Sequence, residues 1–230
     1  MSAFFRTTLA AVTGATLVFA LPSLARADSV SVEMRGVVEY NQVAGDLADV
    51  PAGSDVVMQF RLDSTDFVDS DNFPTRGYRI DLASFDLNVG GVHVALDDPQ
   101  PFGDAFFVLR DNDPAVDGFF IAQGGVELPS PLTVHVPGLA PAHELSFEAG
   151  YNVDNLLHSL NILDAVGTYD LTEIGSYQWT IGRFGSVGAE YAYQSLTISA
   201  VPEPSSWALL GVGALVIGAR TRRSRPAASR

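Results

Sequence analysis

The stretch ASFDLNVGGVHVAL, residues 83–96, decides the fold class. Phe85, Leu87 and Val89 fall at every second position, so in an extended chain their side chains share one face. Gly90 and Gly91 follow, and two adjacent glycines admit the positive φ angles that a two-residue hairpin turn requires. Val92, Val94 and Leu96 then repeat the same period on the way back. His93 alternates away from the apolar side, which puts it on the outer face. A period of two around a Gly-Gly turn predicts an antiparallel hairpin.

Working outward, the same period recurs. Val30, Val32 and Met34 alternate with Ser31 and Glu33; Val56, Met58, Phe60 and Leu62 alternate with Val57, Gln59 and Arg61. Beyond the hairpin, DAFFVLRDN (104–112), GFFIAQ (118–123), LTVHV (132–136) and HELSFEAG (143–150) are short runs punctuated by Gly, Pro and Asp. GSYQWTIGRF (175–184) sets Tyr177, Trp179 and Ile181 on one face, with Trp179 read as core. In AEYAYQSLTIS (189–199), strict alternation groups Tyr191, Tyr193, Ser195 and Thr197 against Ala192, Gln194, Leu196 and Ile198. One stretch, VDNLLHSLNILDAV (153–166), has leucines at helical spacing and reads as a short helix or a loop with a single turn. Nine or ten short strands predict an all-β domain over residues 28–200, a β-sandwich with a jelly-roll or immunoglobulin-like layout.

The 230 residues contain no cysteine, so disulfides and zinc–thiolate sites are excluded and packing must supply the stability. They contain no lysine either. Between Asp28 and Ala200 there are 26 acidic residues and six arginines, a net charge of −20. Such a domain repels nucleic acid and anionic membrane surfaces.

The first 27 residues, MSAFFRTTLAAVTGATLVFALPSLARA, have the layout of a secretory signal helix. Arg6 supplies the positive start, Leu9 to Leu21 the apolar run and Pro22 the break. Ala25 and Ala27 are the small residues that signal peptidase recognises, which places the cut after Ala27.

Candidate chemistry in the middle is sparse. Asp63, Asp66, Asp69 and Asp71 offer hard oxygen ligands of the kind calcium takes, and the same residues equally serve as turn formers. Asp111, Asp113 and Asp117 form a second acidic group with the same two readings. His93, His135, His143 and His158 lack metal-ligand spacing. No nucleophile elbow or phosphate loop is present, so no catalytic residue is assigned and no cofactor beyond possible calcium is implied. Tyr177, Trp179, Tyr191 and Tyr193 supply either core or a sugar-stacking surface.

At the other end, VPEPSSWALLGVGALVIGARTRRSR (201–225) joins two prolines, an uncharged run and an arginine cluster. Pro204 to Ala219 is 16 residues, about 24 Å as a helix, against a hydrocarbon core of about 30 Å. The run reads as a slightly short transmembrane helix with Arg220, Arg222, Arg223 and Arg225 held on the cytoplasmic side. The order of Pro202-Glu203-Pro204, the run from Trp207 to Ala219 and the cluster from Arg220 to Arg225 resembles the PEP-CTERM sorting domain of exported bacterial proteins. That resemblance implies a Gram-negative host, processing near Pro202-Glu203-Pro204 by an exosortase, a membrane enzyme resembling cysteine proteases, and delivery to the cell surface or biofilm matrix.

The expected organisation is therefore a signal helix at 1–27, a β-sandwich at 28–200 and a sorting tag at 201–230 that enters the inner membrane transiently. The expected function is that of a non-enzymatic surface or matrix protein, associated with extracellular polysaccharide or neighbouring matrix proteins. Two alternatives stand beside it. A carbohydrate-binding module would show a row of exposed aromatic rings, and a secreted glycoside hydrolase would show two carboxylates converging in a cleft.

Overall fold

The computed structural model describes residues 29–112, 116–140, 142–151, 156–172, 174–183 and 185–201. Among them are eleven strands: β1 (Ser29–Asn41), β2 (Asp55–Asp69), β3 (Thr75–Val89), β4 (Val92–Leu96), β5 (Ala105–Arg110), β6 (Asp117–Gln123), β7 (Leu132–His135), β8 (His143–Tyr151), β9 (Gly167–Asp170), β10 (Ser176–Arg183) and β11 (Ser186–Val201). The hairpin expected at 85–96 is present as β3–β4. Leu87 faces Val94, Asn88 faces His93 and Val89 faces Val92, with Gly90 and Gly91 at φ 59° and 95°.

The pairing order β10-β11-β1-β2-β3-β4-β7-β8 returns to β10, because β10 pairs with β8 from Ser176–Gly150 to Gly182–Glu144. The domain is a closed eight-stranded antiparallel barrel. This overturns the expected β-sandwich. A sandwich leaves four sheet edges, whereas here the ring returns on itself. Apolar-in, polar-out alternation looks the same in a sandwich strand and a barrel stave, so the local pattern carried no information on closure. The flanking signal and transmembrane helices of the expected fold fall on residues 1–27 and 201–230, outside the described residues except for Val201, which ends β11. No helix among the described residues is long and apolar enough to cross a membrane.

One part of the wall is split. β3 pairs with β5 near its start (Thr75–Arg79) and with β4 at its end (Leu87–Val89). β8 likewise pairs with β7 at its start and with β6 at its end. The β5–β6 pair is buried on both sides. Phe107, Leu109, Phe119 and Ile121 join the main core, while Phe106, Val108, Phe120 and Ala122 pack beneath Val126 as a second cluster. Gln100 seals the seam between the two halves. Its amide N–H groups donate to Asp97 O and Thr133 O at 2.8 Å, and its Oε1 accepts from Thr133 N and Gln123 Nε2.

Both mouths are closed by loops. At one, Asn41 Nδ2 donates to Leu47 O and Val50 O, drawing Val43, Leu47 and Val50 into the core. At the other lies the 156–171 segment. Of the two readings of 153–166, a short helix or a loop with a turn, the described residues 156–166 form the loop, and Leu157, Ile162, Ala165 and Leu171 point into the core. Tyr78 Oη donates to Leu160 O at 2.7 Å and accepts from Ile162 N at 2.9 Å.

Strict alternation also fails in β11. Arg35 pairs with Ser195 and Gly36 with Tyr193, so Gln194 has no partner across the ladder. This β-bulge shifts the phase by one residue. Tyr191 and Tyr193 face inward before it, and Leu196 and Ile198 face inward after it, so the expected grouping of these four on opposite faces is corrected.

Candidate functional site

The barrel interior is occupied by aromatic rings. Trp179, 0 % exposed, stacks on Tyr193 with centroids 5.4 Å apart and meets Tyr191 and Phe147 edge-on. Only Tyr177 of the four aromatics proposed as a sugar platform is exposed, at 51 %. The ring is thus a solid core, and the surfaces available for recognition are its outer wall, its end loops and its tail. That wall carries Glu33, Arg35, Gln59, Arg61, Asp81 and Asp86.

The two buried tyrosines differ in their hydroxyls. Tyr193 Oη has two carbonyl acceptors within reach of its one proton, Glu148 O and Gln178 O, and burial pushes its phenol well above the usual range. Tyr191 is raised by burial alone, and its hydroxyl has no hydrogen-bond partner among the described residues. Tyr191→Phe is therefore expected to cost nothing or to gain up to about 1 kcal/mol, whereas Tyr193→Phe loses about 1–2 kcal/mol. Denaturant midpoints of the two variants measure the difference; equal losses would mean that the Tyr191 hydroxyl is satisfied after all.

The acidic residues read as calcium ligands sit on the β2–β3 hairpin with other partners. Asp69 takes Arg76 Nε and Nη2 at 2.5 and 2.9 Å, which raises the guanidinium pKa further. Asp66 lies 3.1 Å from Arg79, whose second partner is Asp104. Asp63 accepts from the amide and hydroxyl of Thr65, an Asx-type turn. The structure does not bring Asp63, Asp66, Asp69 and Asp71 together: among the described residues, no three His, Asp or Glu side chains converge where a cation could sit. In the second acidic group, Asp113 lies outside the described residues. Asp117 is fully buried, accepting from Asn112 N at 2.7 Å and Leu157 N at 2.8 Å. Burial, then the nearby Asp117, pushes the Asp111 carboxyl up. His93 is exposed as expected and contacts Asp86 at 2.7 Å.

The sequence reading missed a polar cleft on the outer wall. Gln59 pairs with Asp86 and Arg61 with Asp81, so Phe60 alone spans the four β3 residues 82–85. The β3 chain arches away there and opens a recess of about 420 Å³ lined by Ser31, Gln59, Arg61, Asp81, Ala83 and Ser84. A signal was available. The inward residues Ile80 and Phe85 are five positions apart, an odd interval that a regular strand cannot place on one face.

The last structural element of function is the junction with the tail. β1 and β11 are paired to their outer ends, where Ser29 faces Val201. Pro202 follows immediately, and a proline cannot donate to a further ladder bond. Strand and tail thus meet at one residue, and the described N-terminus emerges beside the described C-terminus. Globular barrel, proline break, apolar run and arginine cluster together define a folded cargo domain joined to a C-terminal sorting signal. A family model, the PEP-CTERM protein-sorting motif, matches residues 200–223 and supports a PEP-CTERM sorting domain-containing protein. The motif implies an exported protein processed at the membrane by an exosortase. Neither a curated protein nor a solved structure matches the chain.

Proposed function

We propose that this chain is a non-enzymatic surface or matrix protein, a closed acidic barrel that an exosortase delivers to the cell exterior, where it associates with extracellular polysaccharide. The observation that carries the reading is the direct passage of β11 into the sorting motif at Val201. The filled interior supports a role exercised at the wall. The module with an aromatic platform is disfavoured because Trp179, Tyr191 and Tyr193 are core residues.

The ladder also constrains processing. Ser199, Ala200 and Val201 are held opposite Ser31, Val30 and Ser29. A protease takes its substrate as an extended, unpaired strand, so these residues are unavailable while the barrel is folded. The cut is expected C-terminal to Val201, and signal peptidase is expected to leave Asp28 as the first residue. Intact-mass spectrometry of the surface-localised protein from its host checks both ends. A mature form that retains Arg220–Arg225, or that ends before Val201, would contradict this reading.

A further inference from the structure

We propose that the recess over the β2–β3 bulge binds neutral glycans through pairs of adjacent hydroxyl groups. This inference rests on the polysaccharide reading above and gives it a site. The recess is a built feature. Ser84 Oγ donates to Asp81 O at 2.7 Å and accepts from Arg61 N at 2.8 Å, while Asp81 Oδ1 accepts from Ala83 N at 3.2 Å. These bonds cinch the arch of residues 82–85 and hold the opening in place. Ser31, Arg61 and Asp81 then line up across three strands, since Ser31 faces Arg61 and Arg61 faces Asp81.

Arg61 differs from its neighbours. Arg35, Arg76, Arg79 and Arg110 each hold a carboxylate. The Arg61 guanidinium has no ion pair or side-chain hydrogen bond among the described residues, although Asp81 is its partner across the ladder. A guanidinium edge presents two parallel N–H donors, and a carboxylate presents two acceptors. Two hydroxyls on neighbouring ring carbons satisfy either one in a paired fashion. Gln59 and Ser31 add a donor and an acceptor each. Neutrality follows from the surroundings. Asp81 sits in the recess, and the field of the acidic domain repels polyanions. The volume of about 420 Å³ lies within the range of small-molecule sites. Hydrogen bonding rather than ring stacking dominates, because the one aromatic at the recess, Phe60, has its ring in the core.

Isothermal titration of the purified mature protein tests this, using the host's own secreted polysaccharide, a panel of neutral oligosaccharides and a panel of uronate-bearing ones. Arg61→Met keeps the aliphatic stem and removes the donors. It is expected to weaken binding of host polysaccharide and neutral glycans by about tenfold or more, the loss of one charged hydrogen bond, with the melting temperature unchanged. If Arg61→Met melts early, Asp81→Asn asks the same question while leaving an Oδ1 that can still accept from Ala83 N. Wild-type binding left unaltered by both variants would overturn this site while leaving the polysaccharide reading standing. Binding confined to uronate-bearing glycans would overturn the neutral class. Failure of the wild type to bind any polysaccharide would overturn the reading on which the site rests.

Discussion

Gly36→Val is expected to yield no folded barrel, and Gly36→Ala to lose about 3 kcal/mol or more. Gly36 faces inward on β1, opposite Tyr193 and beside the Gln194 bulge. A Cβ there would stand 2.1 Å from Ala192 O and 2.9 Å from Trp179 Cζ3. The first neighbour is backbone in the longest strand, and the second is a ring packed against Tyr191, Tyr193 and Phe147. Neither can yield without moving the aromatic core. Close-packed interiors have no spare volume to absorb a methyl group, and a domain stable by roughly 5–15 kcal/mol cannot tolerate the two further methyls of valine. Gly167→Ala is the control. It has nothing within 4 Å of the added carbon, and it is expected to be neutral or slightly stabilising because it stiffens the unfolded chain. Urea midpoints for the three variants check the ordering. A Gly36→Ala protein within 1 kcal/mol of wild type would mean that Trp179 is not seated on Gly36.

Asp117→Asn is the second large effect, with an expected loss of about 2–4 kcal/mol. The two carboxylate oxygens each accept one backbone N–H, from Asn112 on one side and Leu157 on the other. An amide of the same shape has a single acceptor oxygen, so its NH₂ group must face one of those donors. Leu157 is buried, and water cannot replace the lost acceptor cheaply there. The damage is expected to be local at first. Asp117 ties the 156–171 segment to the start of β6, and that segment closes one barrel mouth through Tyr78. Native-state hydrogen exchange should show the Leu157 and Ile162 amides exchanging faster while β1 and β11 amides keep their protection. Uniform loss of protection would mean that Asp117 supports the whole ring rather than its closing loop.

These two residues show where the sequence was legible. Asp117 was visible only as an acid in a turn-rich stretch, open to a metal or a capping reading. What it caps lies 40 residues away, so local composition could not choose. Gly36 stood in a clean alternating strand and gave no sign of being a packing position, because the ring above it comes from β10. By contrast, the β3–β4 hairpin was readable because its turn and its period lie within 14 residues, and Trp179 was rightly read as core. The sorting tail was readable for the same reason: its three parts follow one another in the chain.

The sequence by itself determined that the domain is all-β, that its inner face is apolar and its outer face acidic, and that it ends in a PEP-CTERM motif. Each of these is written in neighbouring residues, through a period, a composition or an ordered motif. Only the tertiary structure decided that the strands close into a ring, that Gln194 reverses the phase of β11, and that β3 arches to open the Arg61 recess. Those features depend on which strand pairs with which and in what register. Register is a balance among contacts distant along the chain, and the same alternating pattern satisfies a sandwich and a barrel equally until β10 pairs with both β8 and β11.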